Sequence, residues 1–296
     1  MNIVWIILAV VAGSYFIAVV EYWSITGRFQ PGRPLLSGLA LLGRESIVPR
    51  KADRTLYETA PVLLLGATLL ALAVLPLAPG LIITDLATGA LFVNAALAYV
   101  MVALVMAGWG ADGIYQMIGG WRFLSQLIAY AMMIVMTITA AAMRASSLFT
   151  TEIVVSQATL WNILAQPLGF VLFWLAGMAL AFLPPFNLPV GSDLAGGVEG
   201  EYSGMRLAVF RLGHLVLVLT ISGAVTVFFL GGWLGPFLPG WLWTGLKTLL
   251  VATVMLVAGR YLPRLKEEQL LEWGWKLGIP LALANILWVG ITLLLV

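Results

Sequence analysis

The chain has 296 residues, 62% hydrophobic and 9% charged, with a formal net charge of +2. A water-soluble domain carries about 25% charged residues, so this chain cannot cover a solvated surface and reads as an integral membrane protein. The absence of cysteine excludes disulfides, cysteine-ligated zinc and iron–sulfur ligation by this chain. The lone His214 argues against a histidine-rich metal site or a bis-histidine haem. Any redox centre must therefore belong to a partner.

The N-terminal run "MNIVWIILAVVAGSYFIAVVEYW" lacks a basic leader and a small-residue cleavage site, and is expected to be a retained helix. Crossing a bilayer takes about 20 apolar residues. Eight segments satisfy this: 3–20, 60–77, 90–106, 123–143, 160–182, 207–230, 242–259 and 277–296. The expected fold is all-α, one domain of eight transmembrane helices, some strongly tilted. No internal repeat is evident, which counts against an inverted-repeat transporter.

Orientation follows from the basic residues. Thirteen of the fifteen Lys and Arg fall in the loops and helix ends after spans one, three, five and seven; Arg144 and Lys247 are the exceptions. Only two of the thirteen acids, Asp85 and Glu152, lie on the other side. A multi-pass protein of the inner, cytoplasmic membrane is expected, both termini outside and the charged face in the cytoplasm. The opposite face carries short loops rich in Trp and Gly, as in "LGGWLGPFLPGWLW". The twelve tryptophans read as interfacial anchors. No phosphate-cradling loop, dinucleotide fingerprint or Ser-His-Asp arrangement is present, and nothing suggests nucleic acid.

The loop 185–206, "PFNLPVGSDLAGGVEGEYSGMR", holds Asp193, Glu199, Glu201 and Arg206. It resembles the "PFDLPE.E.EL..G...EYSG" loop of subunit 1 of respiratory complex I and its relatives in membrane-bound, energy-converting hydrogenases. "RESIVPRKADRTLYETAP" is similar to that family's "KE...P..AD...F..AP". "RYLPRLKEEQLLEWGWKLGIP" is similar to its "PR.R.DQL...GWK...P". The three motifs occur in the family's order and cover nearly the whole chain.

The resemblance implies a non-catalytic membrane subunit at the heel of an L-shaped redox complex. Such a subunit docks the hydrophilic electron-transfer arm and forms part of the coupling chamber. Implied partners are hydrophilic iron–sulfur subunits, hydrogenase-like or quinone-reductase-like, with antiporter-like and small membrane subunits beside it in the lipid bilayer. No cofactor is expected on this chain; iron–sulfur clusters belong to the partners, and a quinone is left open. A first loop shorter than in quinone-reducing relatives, with "GRES" in it, leans towards the hydrogenase-like branch. The alternatives are a structural anchor whose proton relay is lost, and an independent secondary transporter.

The departures concern buried charge. Asn187 stands where the family has an acid, and Val190 where it has the first loop glutamate. Leu180 and Leu183 replace a glutamate and an arginine of the fifth span. Ala131 replaces an acid of the fourth. A proton wire needs titratable groups or water at hydrogen-bonding intervals, and an intramembrane acid is costly unless used. Much of the relay is therefore expected to be missing.

Asp193, Glu199, Glu201, Tyr202 and Arg206 remain as candidates for the coupling site or chamber. Asp193 is the strongest surviving acid, with a helix-capping role as its alternative; Glu201 has service to the dipole of the next helix as its alternative. Arg44, Glu45, Asp53, Arg54 and Arg264 are candidates for partner docking, against the plainer role of setting topology. Glu21 reads as a boundary residue ending span one. His214 reads as a helix–helix hydrogen-bonding group, Asp112 as a turn acid, and Arg260 and Lys266 as topology determinants.

Overall fold

The computed structural model describes residues 2–295, and no β-strand occurs among them. Twelve α-helices follow one another: α1 (Asn2–Thr26), α2 (Gly32–Leu42), α3 (Arg54–Ala73), α4 (Gly89–Gly110), α5 (Ile114–Ala145), α6 (Thr150–Val155), α7 (Asn162–Ala165), α8 (Pro167–Leu180), α9 (Gly204–Phe229), α10 (Gly240–Tyr261), α11 (Glu267–Trp273) and α12 (Ile279–Leu295). Among the described residues, seven helical stretches are long and apolar enough to cross a membrane: α1, α3, α4, α5, α9, α10, and α11 with α12, which run on as one rod.

The fifth expected span, 160–182, is broken in two. Gln166 leaves the helical region at φ −139° and ψ 66°, and Pro167 restarts the helix as α8. Its 14 residues reach about 21 Å, short of a hydrocarbon core of about 30 Å. The break is satisfied from α12: Asn285 Oδ1 accepts from the Gly169 amide at 3.1 Å, and its Nδ2 donates to Gln166 Oε1 at 3.2 Å. A buried polar turn of this kind survives at membrane depth only where protein supplies the partners.

Other boundaries moved as well. α5 starts nine residues before the expected 123 and spans 32 residues, so it projects beyond the bilayer as a platform for the loop 181–203. The first loop is not all loop, because it contains α2. Leu41 of α2 is buried while Leu35, Leu36, Leu39 and Leu42 stay exposed, the pattern of a helix lying in the membrane interface.

α9 is the central helix, buried along most of its length. A helix apolar all round belongs in the interior. Its hydroxyls turn back onto its own backbone: Thr220, Ser222 and Thr226 donate to the carbonyls of Val216, Val218 and Ser222 at 2.7–2.9 Å. By contrast α1, α10 and α12 show Leu8, Leu250 and Leu287 outward, as lipid-facing helices must.

Glycines bring α3, α4 and α5 into backbone contact. A Cβ on Gly108 would lie 2.6 Å from the Gln116 carbonyl, and one on Gly110 would lie 2.6 Å from the Tyr57 amide. Gly110→Ala is expected to push α3 away and cost about 1–3 kcal/mol, read as a lowered melting temperature of the detergent-solubilised protein. A melting temperature equal to the parent's would show that this approach is not tight.

Candidate functional site

The charged end of the bundle is assembled by two segments far apart in sequence. Asp53 caps α3, its Oδ1 accepting from the Thr55 amide at 3.0 Å and the Thr55 hydroxyl at 2.6 Å. These bonds, the hydroxyl's first, hold its carboxyl below the usual value. One turn on, Tyr57 is fully buried and stacks on Tyr202 with centroids 4.3 Å apart and planes 1° from parallel. Hydrogen bonds close the pair in both directions: Tyr57 OH donates to the Glu201 carbonyl at 2.8 Å, and Tyr202 OH to the Tyr57 carbonyl at 3.1 Å. Burial raises the Tyr202 phenol above its ordinary range.

The rest of the "EYSG" run completes this clamp. The Ile47 amide donates to Ser203 Oγ at 2.8 Å. Gly204 has φ +59°, and a Cβ there would lie 2.8 Å from the Arg44 carbonyl and 3.0 Å from the Glu45 carbonyl. Arg206 donates to Ser46 Oγ at 2.6 Å, pairs with Glu58 at 3.0 Å, and lies over the Tyr57 ring. Tyr202, Ser203, Gly204 and Arg206 thus fix the first loop against the start of α9.

A second group lies across the α5 platform. Arg122 pairs with Asp193 at 2.5 Å and approaches Glu267 at 3.9 Å, while Ser125 donates to Glu267. The Arg122 hydrogen bond, ahead of other effects, lowers the Asp193 carboxyl's pKa. A cleft of about 510 Å³ opens here, lined by Arg122, Asn187, Asp193, Arg264, Lys266 and Glu268 among others. Asp193 lies in the first turn of a short 3₁₀ helix with its carboxylate on Arg122.

The third group centres on Glu199. Burial raises its pKa; the charges of His214 and then Arg211 oppose this, and Glu21 reinforces it. His214 stacks on Phe182 at 4.3 Å, and its Nε2 lies 3.0 Å from the Ala181 carbonyl at the end of α8, a helix-to-helix tie of the expected kind. Glu21 does not end a helix, since α1 continues to Thr26; its charge acts on Glu199 through space.

The remaining candidates are exposed. Arg44, Glu45, Arg54, Glu201 and Arg264 point to solvent and make no ion pair among the described residues. The same holds for Arg260 and Lys266. Asp112 adopts φ +50° in the turn between α4 and α5. Arg122, Tyr57 and Gln126 carry the site although the sequence patterns do not single them out. Gln126 is fully buried and donates to the carbonyls of Ala179 at 2.7 Å and Phe186 at 3.0 Å. A glutamine in the apolar run "FLSQLIAYA" is the available signal. Leu180 and Leu183 are buried in the apolar core beside it, and Ala131 and Val190 pack against that core.

The two carboxylates respond to pH in opposite senses. Glu199, raised, favours the fold below its unfolded value of 4.5, and that contribution is lost as pH rises through its folded-state value. Asp193, lowered, contributes above its unfolded value of 3.8 and loses this as pH falls through its folded-state value. Glu199→Gln is therefore expected to flatten the decline of melting temperature as pH climbs above 4.5, leaving the acid limb to which Asp193 and Asp53 contribute. Superimposable pH profiles for variant and parent would contradict the burial of Glu199.

Comparison with known proteins identifies the family. Residues 22–290 match the family described as NADH dehydrogenase. The second H-type subunit of NADH-quinone oxidoreductase from two strains of Cereibacter sphaeroides is 40% identical over 258 residues, covering 86% of this chain and 81% of the relative. The H-type subunit of NADH-quinone oxidoreductase from Bacillus mycoides is 37% identical over 268 residues, covering 88% and 80%. These relatives carry the quinone-oxidoreductase name and lend no support to the lean towards the hydrogenase-like branch. With the family match running through the first-loop, "EYSG" and "GWK" motifs alike, the chain belongs to the NADH dehydrogenase family of complex I H-type (subunit 1) proteins.

Proposed function

We propose that the chain is the non-catalytic H-type membrane subunit of a multisubunit, redox-driven ion-translocating complex, and that its charged end is the dock for the hydrophilic electron-transfer subunits. The observation that carries this reading is the clamp. A loop that only connected helices would need neither the reciprocal Tyr57–Tyr202 bonds nor a glycine wedged against the Arg44 and Glu45 carbonyls. Around this rigid base Arg44, Arg50, Lys51 and Arg54 stand exposed, without ion pairs among the described residues, available to carboxylates of a partner.

In this reading α7 and α8 together make the fifth crossing, so that the charged end faces the cytoplasm and both termini lie outside, as the basic residues imply. Ser37 on α2, exposed, should label from the cytoplasmic side as a cysteine variant; labelling only from outside would invert the topology. Ser203 is less suitable, because its hydroxyl is engaged in the clamp. Iron–sulfur clusters belong to the docked subunits, and antiporter-like subunits lie beside this one in the membrane. No quinone step is assigned to this chain's side chains. The 510 Å³ cleft is lined by charge, and the 490 Å³ crevice bounded by Val62, Leu70 and Tyr99 opens on the outer face of α3 and α4.

The loop acids serve docking and local structure, with the inner half of the family's relay replaced by apolar packing and Gln126. Arg54→Glu or Glu201→Lys should release the hydrophilic subunits on purification while the membrane part stays whole, since a desolvated pair broken on one side costs about 3–5 kcal/mol. Full retention by both variants would reduce these residues to topology signals. Asp193→Asn should disturb assembly or electron flow more than ions moved per electron. Normal electron flow with lowered pumping would place a working proton path in this loop.

A further inference from the structure

Lys247 lies within α10, at the end of the bundle opposite the charged site, and is 8% exposed. Among the described residues no acid pairs with it. Its Nζ donates to three carbonyl oxygens instead: Leu230 at 2.7 Å, Leu234 at 2.8 Å and Gly232 at 3.0 Å. The chain leaving α9 is folded to present them, with Gly231 at φ +70° and Gly232 at φ +46°. Two indoles cover the ammonium, Trp161 at 4.3 Å and Trp243 at 5.6 Å from ring centroid to Nζ. Gln157 holds the turn from the other side, accepting from the Gly231 amide at 2.9 Å and donating to the Val227 carbonyl at 2.8 Å.

We infer that this is a built ammonium site, a cage of three carbonyls and two indole faces, in which Lys247 serves as a fixed cation locking the end of α9 and not as a proton-relay group. The stoichiometry supports the assignment. An ammonium has three N–H donors and no acceptor, and three acceptors face it; a neutral amine would turn a lone pair against a carbonyl. A cation at a helix C-terminus also meets the negative end of the dipole, and the indole faces add cation–π attraction. An intramembrane lysine is by default a candidate for ion handling, but here every donor is committed to a backbone carbonyl of the turn that ends α9. Lys247 is thus a positioning residue for the central helix.

The empty cage of a truncated variant should accept a small primary ammonium ion. Lys247→Ala is expected to lower the melting temperature of the subunit within the detergent-extracted complex by about 5–10 °C. Millimolar ethylammonium should restore at least half of that loss, whereas tetramethylammonium, which has charge but no N–H donor, should not. The parent should respond to neither. If Lys247→Ala does not accumulate, Lys247→Met and Lys247→Gln carry the comparison, and the inference requires Gln, which returns two N–H donors, to exceed Met in membrane abundance. An alanine variant as stable as the parent, equal rescue by both ions, or Met equal to Gln would overturn it.

Discussion

The stacked pair Tyr57 and Tyr202 is the contact on which the charged end depends. Each hydroxyl donates to backbone of the other segment, so neither the first loop nor the start of α9 can shift alone. Burying two phenols is favourable only if their hydroxyls find partners, and here the partners are carbonyls that the loop turns would otherwise leave bare. Gly204 and Ser203 extend the joint to the carbonyls and amide of residues 44–47. Arg206 closes it with Glu58 and Ser46.

Beneath that base the interior is apolar and packed. Leu180 and Leu183 fill the core, and the polar demand of the chain turning out of α8 is met by the Gln126 amide. His214 serves the same end, taking the Ala181 carbonyl. Both residues answer backbone groups at a helix terminus, which at this depth would otherwise cost several kcal/mol each. The outer end repeats the solution: Asn162, bound by Arg144 at 2.6 Å, donates to the Phe228 carbonyl at 2.7 Å. Arg144 and Lys247, the two basic residues that break the charge asymmetry, are therefore engaged with internal amide and carbonyl groups. The asymmetry of free charge across the molecule is greater than the sequence count implies.

Hydropathy made the helical bundle legible, since seven helices are unmistakable runs of apolar residues. It failed at the fifth expected span because a window average does not register that Gln166 and Pro167 break the backbone, nor that Asn285, more than a hundred residues away, mends it. α2 is too short for a membrane-length window to register; its sign in the sequence is the spacing of leucines at 35, 36, 39 and 42. The motif segments fall where two distant stretches of chain meet, because glycine and tyrosine in "EYSG" mark close backbone approach. Their individual roles were not legible. Asp53 is occupied with capping α3, and Asp193 with Arg122 of α5, a pairing across more than seventy residues. Glu199 feels the charges of Glu21, Arg211 and His214 through space, from helices far apart in sequence.

Hydrogen–deuterium exchange on the assembled complex, set against the membrane part stripped of its hydrophilic arm, tests the central claim most directly. If the clamp is the base of a dock, amides of residues 44–57 and 199–206 gain protection together when the arm is present, while residues 230–240 at the opposite end do not change. Protection that is indifferent to the arm in both segments, or that changes at 230–240 instead, would contradict the account.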